Sequence, residues 1–399
     1  MDVESIPRIN SADFFCVRLP SIWAGPPDKF SHSSLERLQS CPLKYQLERS
    51  QFSGIGRYPA RPNRLTIEGS IIHECLEELF KVFSFAGMPD LSTDDARQCC
   101  RQANLVGLAG KKIDLLKDEL RQHPRGGAFE LNSNPQQIVN RVIQIFRQQY
   151  HLIDRSSHLK LPHTGLLEGG FSQGNFADRL RTNGALTEVR LAHPSLPFEG
   201  VLDLVYKGAD GTVIADYKTG AEKAEHRLQA LRYALLWWRC TGDLPAQIEI
   251  RYLKSVIRDS VTESALVEIE QYLRQEIDSA SEALKVTPAA ANLGDHCRKC
   301  GVRQFCEICW RQTGKIVGDG GNLIDIELTI SGQPSEHGFI GIGHLNEVFD
   351  VVYEKGIGLL LLNRIEEGQT IRLMGVGCEM KEKVIRVLTF SEVWSLALD

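Results

Sequence analysis

Two aspartates and a lysine lie where two successive strands of the chain are predicted to end. Asp203 closes one strand, and Asp216 and Lys218 close the next, beyond a hairpin turn at Asp210 and Gly211. Alternate residues of a strand point to the same face, so Asp216 and Lys218 project together and the hairpin brings Asp203 alongside. Two carboxylates offer the hard oxygen ligands that Mg²⁺ or Mn²⁺ prefers, with a cation beside them. The pattern predicts a divalent-metal site able to polarise a phosphodiester and activate water.

Cysteines form a second candidate site. The chain has 11 of them, an odd number at uneven spacing, which argues against a disulfide framework. Cys297, Cys300 and Cys306 have the close spacing of metal ligands, and a fourth ligand must come from elsewhere. Thiolates suit iron–sulfur clusters and zinc alike, so the spacing by itself leaves both open.

Composition sets the class of protein. At 399 residues, with 42% hydrophobic and 24% charged residues, the chain is expected to fold into two or three globular domains. The formal net charge of −5 argues against indiscriminate coating of nucleic acid and is compatible with a local basic groove. No apolar run reaches the ~18–20 residues of a membrane helix, and the N-terminus shows no secretory signal. We therefore expect a cytoplasmic protein with no membrane partner.

Hydrophobic periodicity predicts helices first and then strands. A helix over 69–85 places Ile72, Leu76, Leu79 and Phe83 on one face. An earlier helix over 33–50 should break at its Cys-Pro step. The other predicted helices lie at about 93–121, 135–152, 224–240 and 263–285. The predicted strands lie at 186–193, 197–208, 212–220 and 247–255, and short β segments at 323–330, 338–345, 348–354, 357–365, 369–376 and 383–390.

These segments predict an α/β fold in which a mixed sheet is flanked by helices, followed by a small all-β barrel of OB-like type. The predicted divisions are an unassigned N-terminal arm (1–30), a main domain (31–313) with a helical insertion at about 87–165, and the barrel (314–399). The barrel has few aromatic and many acidic residues, so a docking or stabilising role is as plausible as single-strand binding.

Four motifs occur in a recognisable order: Gly69 to His73 (GSIIH), Gly200 to Asp203 (GVLD), Asp216-Tyr217-Lys218, and Gln229 to Tyr233 (QALRY). An isolated Asp-x-Lys beside a turn is more often a solvated hairpin end. The ordered set, however, resembles the signature of the PD-(D/E)xK nuclease superfamily, and more specifically its RecB-like branch. The resemblance covers about residues 31–310 and implies a restriction-endonuclease-like core.

The resemblance implies a role for each matching position. The implied metal ligands are His73, Asp203, Asp216 and the main-chain carbonyl of Tyr217. The implied catalytic residues are Asp203, Asp216, Lys218, His73 and the additional acidic residue Glu188. Gln229 and Tyr233, four residues apart on one helical face, would contact DNA. Taken singly, His73 and Tyr233 are more simply core residues and Glu188 a solvent-facing one.

The segment SHSSLERLQSCPLKY is similar to the start of RecB-like nucleases that carry a [4Fe–4S] cluster, such as AddB-type subunits and CRISPR-associated exonucleases. The similarity implies that Cys41 joins Cys297, Cys300 and Cys306 as cluster ligands. The cluster would act as a structural staple. Zinc is the chemical alternative, and Cys309 is the second choice as ligand.

The expected function is a Mg²⁺- or Mn²⁺-dependent deoxyribonuclease, an exonuclease on single-stranded DNA ends, in DNA repair, recombination or defence against foreign DNA. The alternative is a non-catalytic DNA-end-binding or scaffold subunit that supports a helicase. The sequence has no G-x-x-x-x-G-K-[ST] motif, so unwinding would need a partner protein.

Overall fold

A computed structural model describes most of the chain. The described residues are 16–17, 19–53, 56–86, 89–123, 125, 131–150, 176–218, 220–252, 255–317, 323–354, 358–361, 364–379, 381–388 and 391–396. Much of the predicted N-terminal arm and the end of the predicted helical insertion lie outside these ranges. Within them, no helix is both long and apolar enough to cross a membrane.

A largely helical first part of the chain is followed by strands with flanking helices and then by short strands, which is the order that the periodicity predicts. The helices are α1 (His32–Ser40), α2 (Pro42–Arg49), α3 (Arg64–Phe85), α4 (Asp94–Ala103), α5 (Leu105–Gln122), α6 (Pro135–Tyr150), α7 (Phe176–Asn183), α8 (Ala224–Thr241), α9 (Glu263–Ala283), α10 (Glu307–Thr313) and α11 (Gly358–Leu361). The strands are β1 (Cys16–Val17), β2 (Gln51–Phe52), β3 (Gly56–Arg57), β4 (Ala185–Ala192), β5 (Glu199–Gly208), β6 (Gly211–Lys218), β7 (Gln247–Tyr252), β8 (Val256–Ser260), β9 (Lys315–Val317), β10 (Leu323–Ser331), β11 (Gly338–Ile342), β12 (Val348–Tyr353), β13 (Thr370–Glu379), β14 (Val384–Val387) and β15 (Glu392–Leu396).

The predicted α/β core is present as a mixed sheet in the order β4-β5-β6-β7-β8. Strands β5 and β6 form the predicted antiparallel hairpin, and β6 pairs with β7 in parallel. Helix α8 packs on the sheet with Ala230, Leu235 and Trp237 fully buried, and α9 packs on α8. Asp203, predicted to end its strand, lies within β5, while Asp216 and Lys218 lie at the end of β6 as predicted.

Helices α3 to α6 pack around their own core. The face predicted for α3 is confirmed, since Ile72, Leu76, Leu79 and Phe83 are all buried. The single helix predicted at about 93–121 is instead α4 and α5, because Asn104 adopts a left-handed conformation with φ 41° and ends the first helix. The break predicted at the Cys-Pro step is also found, between α1 and α2.

The C-terminal region forms a closed five-stranded barrel in the order β10-β11-β12-β14-β13, closed by pairing of β13 with β10. Strands β12 and β14 are parallel, and α11 lies between β12 and β13. This barrel confirms the predicted fold class. The strand predicted at 357–365 is wrong in part, since residues 358–361 form α11; a short apolar run does not distinguish a strand from a buried helix.

The barrel is joined to the preceding segment by a shared core. Phe305 and Trp310 pack in one hydrophobic cluster with Met374 and Trp394 of the barrel. Buried ion pairs cross the same boundary: Arg303 with Asp325 of β10, and Arg125 with Glu392 of β15, the second with Nε and Oε1 2.9 Å apart. Strand β1, from the predicted N-terminal arm, also pairs with β15.

Candidate metal centre and cysteine pocket

His73, Glu188 and Asp203 converge on one point. One ligand atom from each residue lies within 4.8 Å of the other two. They come from α3, β4 and β5, so the helical block and the sheet both contribute. In the β4–β5 register, Thr187 pairs with Leu204 and Val189 with Leu202, which places Glu188 opposite Asp203.

Glu188 has an unusual backbone for a strand residue. Its φ of 50° lies in the left-handed region, which costs free energy for a residue with a Cβ. Its side chain is exposed, and burial of the carboxyl group nevertheless raises its pKa, together with the nearby charge of Glu77. The strained backbone presents the carboxylate to the cluster with His73 and Asp203.

Asp216 and Lys218 complete the centre. Asp216 is 2% exposed, and its Oδ2 lies 2.6 Å from Lys218 Nζ. The intervening residue contributes through its main chain, since the Tyr217 N–H donates to Asp203 Oδ2 at 2.8 Å. The side chain of Tyr217 points to the opposite face of the sheet, as strand alternation requires.

Both aspartates are held in an environment that disfavours negative charge. Burial, and then the charge of Asp203, raise the pKa of Asp216 to about 7, against the opposing effect of Lys218. Burial raises the pKa of Asp203 to about 6, although the Tyr217 N–H acts in the opposite direction. Burial lowers the pKa of His73, which keeps the imidazole neutral and able to ligate.

This donor set fits a divalent cation. It combines the buried carboxylate of Asp216, the half-buried carboxylate of Asp203, a third carboxylate and a neutral imidazole. A bound cation would stabilise the charged form of these carboxylates, whose pKa values are raised in its absence. The cluster includes His73, Glu188 and Asp203, while Asp216 is held by its ion pair with Lys218. The carbonyl of Tyr217 stays a prediction as a ligand.

Gln229 and Tyr233 support the lysine. Gln229 Oε1 accepts from Lys218 Nζ at 2.7 Å, and its amide nitrogen donates to the Tyr233 hydroxyl at 2.8 Å. A Cβ at Gly200 would come within 2.7 Å of the Tyr233 ring, so only glycine lets α8 pack this closely on β5. The sequence predicted DNA contact for this pair, and the structure adds a chain of hydrogen bonds to Lys218.

Neighbours of the centre that the sequence did not single out lie on α3. Glu77 and Lys81 both act electrostatically on Glu188, and they pair with each other at 2.8 Å. Glu77 follows His73 by four residues, so the two share a helix face. The four-residue spacing of His73 and Glu77 was the signal that the sequence offered. The same spacing is common for residues of an ordinary surface salt bridge on a helix.

The cysteines predicted as cluster ligands line one pocket. Cys41, Cys297, Cys300 and Cys306 all line it, with Cys309 beside them, and the pocket opens to solvent. Cys41 caps the N-terminus of α2, where its Sγ accepts from the Lys44 N–H at 3.4 Å.

Arg303 closes one side of this pocket. Its Nη1 donates to the carbonyl oxygen of Cys297 at 3.1 Å, and Nη2 pairs with Asp325 of the barrel. Burial lowers the pKa of Arg303 to about 10, so the guanidinium stays charged. Burial raises the pKa of Cys309 to about 11, followed in effect by the thiols of Cys306 and Cys297.

The sequence matches the PD-(D/E)XK nuclease superfamily over residues 29–307, which is well over half of the chain. The chain belongs to this superfamily. Membership agrees with the site, because PD-(D/E)XK nucleases act on DNA with divalent metals. The match covers all four sequence motifs and ends just before the barrel.

Other comparisons add little to this superfamily assignment. No curated protein matches the chain. Among solved structures, the chain is similar to the crystal structure of SSO0001, with 13% sequence identity over 53% of this chain and 86% of that chain and a TM-score of 0.19.

Proposed function

We propose that this PD-(D/E)XK protein is a RecB-like, AddB-type DNA exonuclease that hydrolyses phosphodiesters at single-stranded ends. The observation that carries the proposal is the convergence of His73, Glu188 and Asp203 beside the Asp216–Lys218 pair. A divalent ion held there, Mg²⁺ or Mn²⁺, would polarise the phosphodiester and lower the pKa of water.

The residues of the chain have separable tasks. Asp203 and Asp216 would hold the cation, with neutral His73 and, alongside them, Glu188. Lys218 is fixed between Asp216 and Gln229, so its ammonium group is in place before substrate binds. A preorganised cation of this kind stabilises charge that develops on a phosphoryl oxygen. Gln229 and Tyr233 would orient the lysine and contact the DNA strand.

For the cysteine pocket we propose a [4Fe–4S] cluster on Cys41, Cys297, Cys300 and Cys306. The four thiols line one pocket, which supports a shared metal group, and the [4Fe–4S] cluster is the group that the resemblance to RecB-like nucleases implies. Zinc is the chemical alternative. Cys309 is the second choice as a ligand.

Cluster thiolates survive in a reducing compartment, so we place the protein in the cytoplasm. Its role would be DNA repair, recombination or defence against foreign DNA. A separate helicase would supply unwinding, because the sequence has no Walker-type motif of its own.

Linear and circular DNA distinguish this proposal from its alternatives. Purified protein is incubated with 5′- or 3′-labelled single strands, the same sequence closed into a circle, and duplex, each with Mg²⁺ or Mn²⁺. We expect linear single strands to be shortened from an end while circles persist. Cleavage of the circle would show an endonuclease, and DNA binding without cleavage would favour a scaffold subunit.

A further inference from the structure

A buried charged network lies on the face of the sheet opposite the metal centre. Arg251 of β7 is 3% exposed, and its guanidinium carbon lies 5.2 Å from the Tyr206 ring centroid and 5.9 Å from that of Tyr217. The rings belong to β5 and β6, the strands that carry Asp203 and Asp216. One side chain on β7 therefore touches both strands directly behind the centre.

The network continues across the sheet. Arg251 Nε donates to Glu249 Oε2 at 2.8 Å, two residues earlier on the same face of β7. Glu249 Oε1 accepts from Arg258 Nε of β8 at 2.8 Å. Strands β5 to β8 are thus linked by charged and aromatic side chains where most sheets have aliphatic packing.

Stability does not explain this arrangement. A buried ion pair commonly contributes no more than well-packed apolar residues of the same volume. Here Arg251 Nη1 and the Tyr217 hydroxyl are also enclosed without hydrogen-bond partners in the described part of the chain, which adds a desolvation cost. A methionine at 251 would fill the space without either cost.

The position of Arg251 behind the metal centre explains the network better. Tyr217 and Arg251 are direct partners in the parallel β6–β7 register, so the guanidinium fixes the Tyr217 ring. The peptide N–H of the same tyrosine holds Asp203 Oδ2, and its neighbours in sequence are Asp216 and Lys218. A twist of β6 at this residue would move the acidic and basic groups relative to Asp203.

We propose that Arg251, braced by Glu249, is a positioning residue that sets the orientation of the Tyr217 peptide and thereby the affinity of the metal centre. This inference rests on the proposed metal-dependent function. Arg251 acts through Tyr217 from the opposite side of the sheet and is not a ligand. Residues behind metal ligands typically change metal affinity or activity about 10–100-fold when replaced.

The test measures Mn²⁺ binding to the full chain without DNA, by the electron paramagnetic resonance of free Mn²⁺. Arg251→Met is compared with Arg372→Met, a matched control in the barrel. Arg372 is also fully buried and ion-paired, and it lies 5.3 Å from the Trp310 ring centroid. We expect Arg251→Met to weaken Mn²⁺ binding about tenfold or more, and Arg372→Met to lower the melting temperature with unchanged Mn²⁺ affinity.

Wild-type Mn²⁺ affinity in Arg251→Met would overturn the inference, as would equal weakening in both variants. If Arg251→Met does not fold, Glu249→Gln is measured in its place, because it keeps the shape and removes the charge that braces Arg251. The same weakening is expected, and unchanged affinity would again overturn the inference. If the wild type binds Mn²⁺ but cleaves no DNA, the proposed nuclease fails while this result stands; if it binds no Mn²⁺, both fail.

Discussion

The metal centre and the cysteine pocket are built in opposite ways. The centre collects its aspartates and Lys218 from adjacent strands joined by a hairpin, and adds His73 from α3. The pocket joins Cys41 of the first helical pair to cysteines that begin more than two hundred residues later, at Cys297. One depends on the register of a sheet, the other on closure of a long loop.

This difference implies that the metal centre serves the chemistry of the protein and the cysteine pocket its architecture. A change at the centre alters charge at a place whose backbone is already fixed by the sheet. If the proposed cluster joins Cys41 to the later cysteines, a change in the pocket would release the two ends of the nuclease domain and, through Arg303 and Asp325, reach the barrel. Variants at the metal centre should therefore keep the iron content of the wild type, and variants in the cysteine pocket should keep the metal affinity of the centre.

The largest effect is expected at Lys218. Lys218→Met removes the ammonium group that Asp216 and Gln229 hold, and cleavage should fall about 10²–10³-fold through lost charge stabilisation. Iron content should match the wild type. Cleavage is measured under single-turnover conditions with labelled single strands. Retained activity would remove Lys218 from the chemistry.

Cys300→Ser should disrupt the cysteine pocket. We expect loss of iron and of the brown colour, and a fall in the free energy of unfolding of up to about 4–5 kcal/mol, by analogy with closing a long loop. Chemical denaturation measures the fall. Cys100→Ser, at an exposed position on α4, is the control and should keep full iron. Full iron in Cys300→Ser would remove Cys300 from the ligand set, and a wild type that holds zinc and no iron would replace the proposed cluster by a zinc site.

The link between pocket and barrel is tested by Asp325→Asn. It leaves the Arg303 guanidinium buried without its counter-charge, and breaking such a pair costs about 3–5 kcal/mol. Hydrogen exchange should rise in β10 and the cysteine segment. Asp118→Asn removes an exposed pair with Arg121 and should change nothing measurable. Equal stability in the two variants would mean that the barrel docks without this pair.

The smallest expected effect is a pH dependence without metal. The pKa values of Asp216, about 7, and Asp203, about 6, lie above the ordinary 3.8. Between those values the folded chain binds more protons than the unfolded one, so the free energy of unfolding should fall as pH rises from about 4 to 7. Mn²⁺ binding should strengthen over the upper part of that range.

Asp216→Asn isolates this contribution. In chelator, denaturation midpoints are compared at pH 5 and pH 8 for wild type and variant. The free energy of unfolding of the variant, relative to that of the wild type, should be higher at pH 8 than at pH 5. A difference that is the same at both pH values would show that Asp216 keeps an ordinary pKa.

Local patterns predicted much of the fold and of the metal centre. Alternation placed Asp216 and Lys218 on one face, and the Asp-Gly turn placed Asp203 beside them, because both relations span only a few residues. The apolar face of α3 followed from helical spacing in the same way. The paired carboxylates therefore follow from the amino-acid sequence alone.

Local patterns could not predict contacts between residues that lie far apart in the sequence. Nothing near Arg251 in the sequence indicates that it faces Tyr217, since their pairing depends on the parallel β6–β7 register across α8. Closure of the barrel by β13 and β10, and the pairing of Arg303 with Asp325, likewise depend on tertiary packing. The two-residue strand β1 is too short to have any periodicity.

Cleavage of labelled DNA by wild type and Asp216→Asn, with Mn²⁺ and with chelator, tests the central claim most directly. The account predicts that the wild type degrades DNA only when Mn²⁺ is present and that the variant, with its iron intact, degrades none. Cleavage that persists in chelator or in Asp216→Asn would contradict the claim, and so would a wild-type protein that binds DNA and leaves it whole.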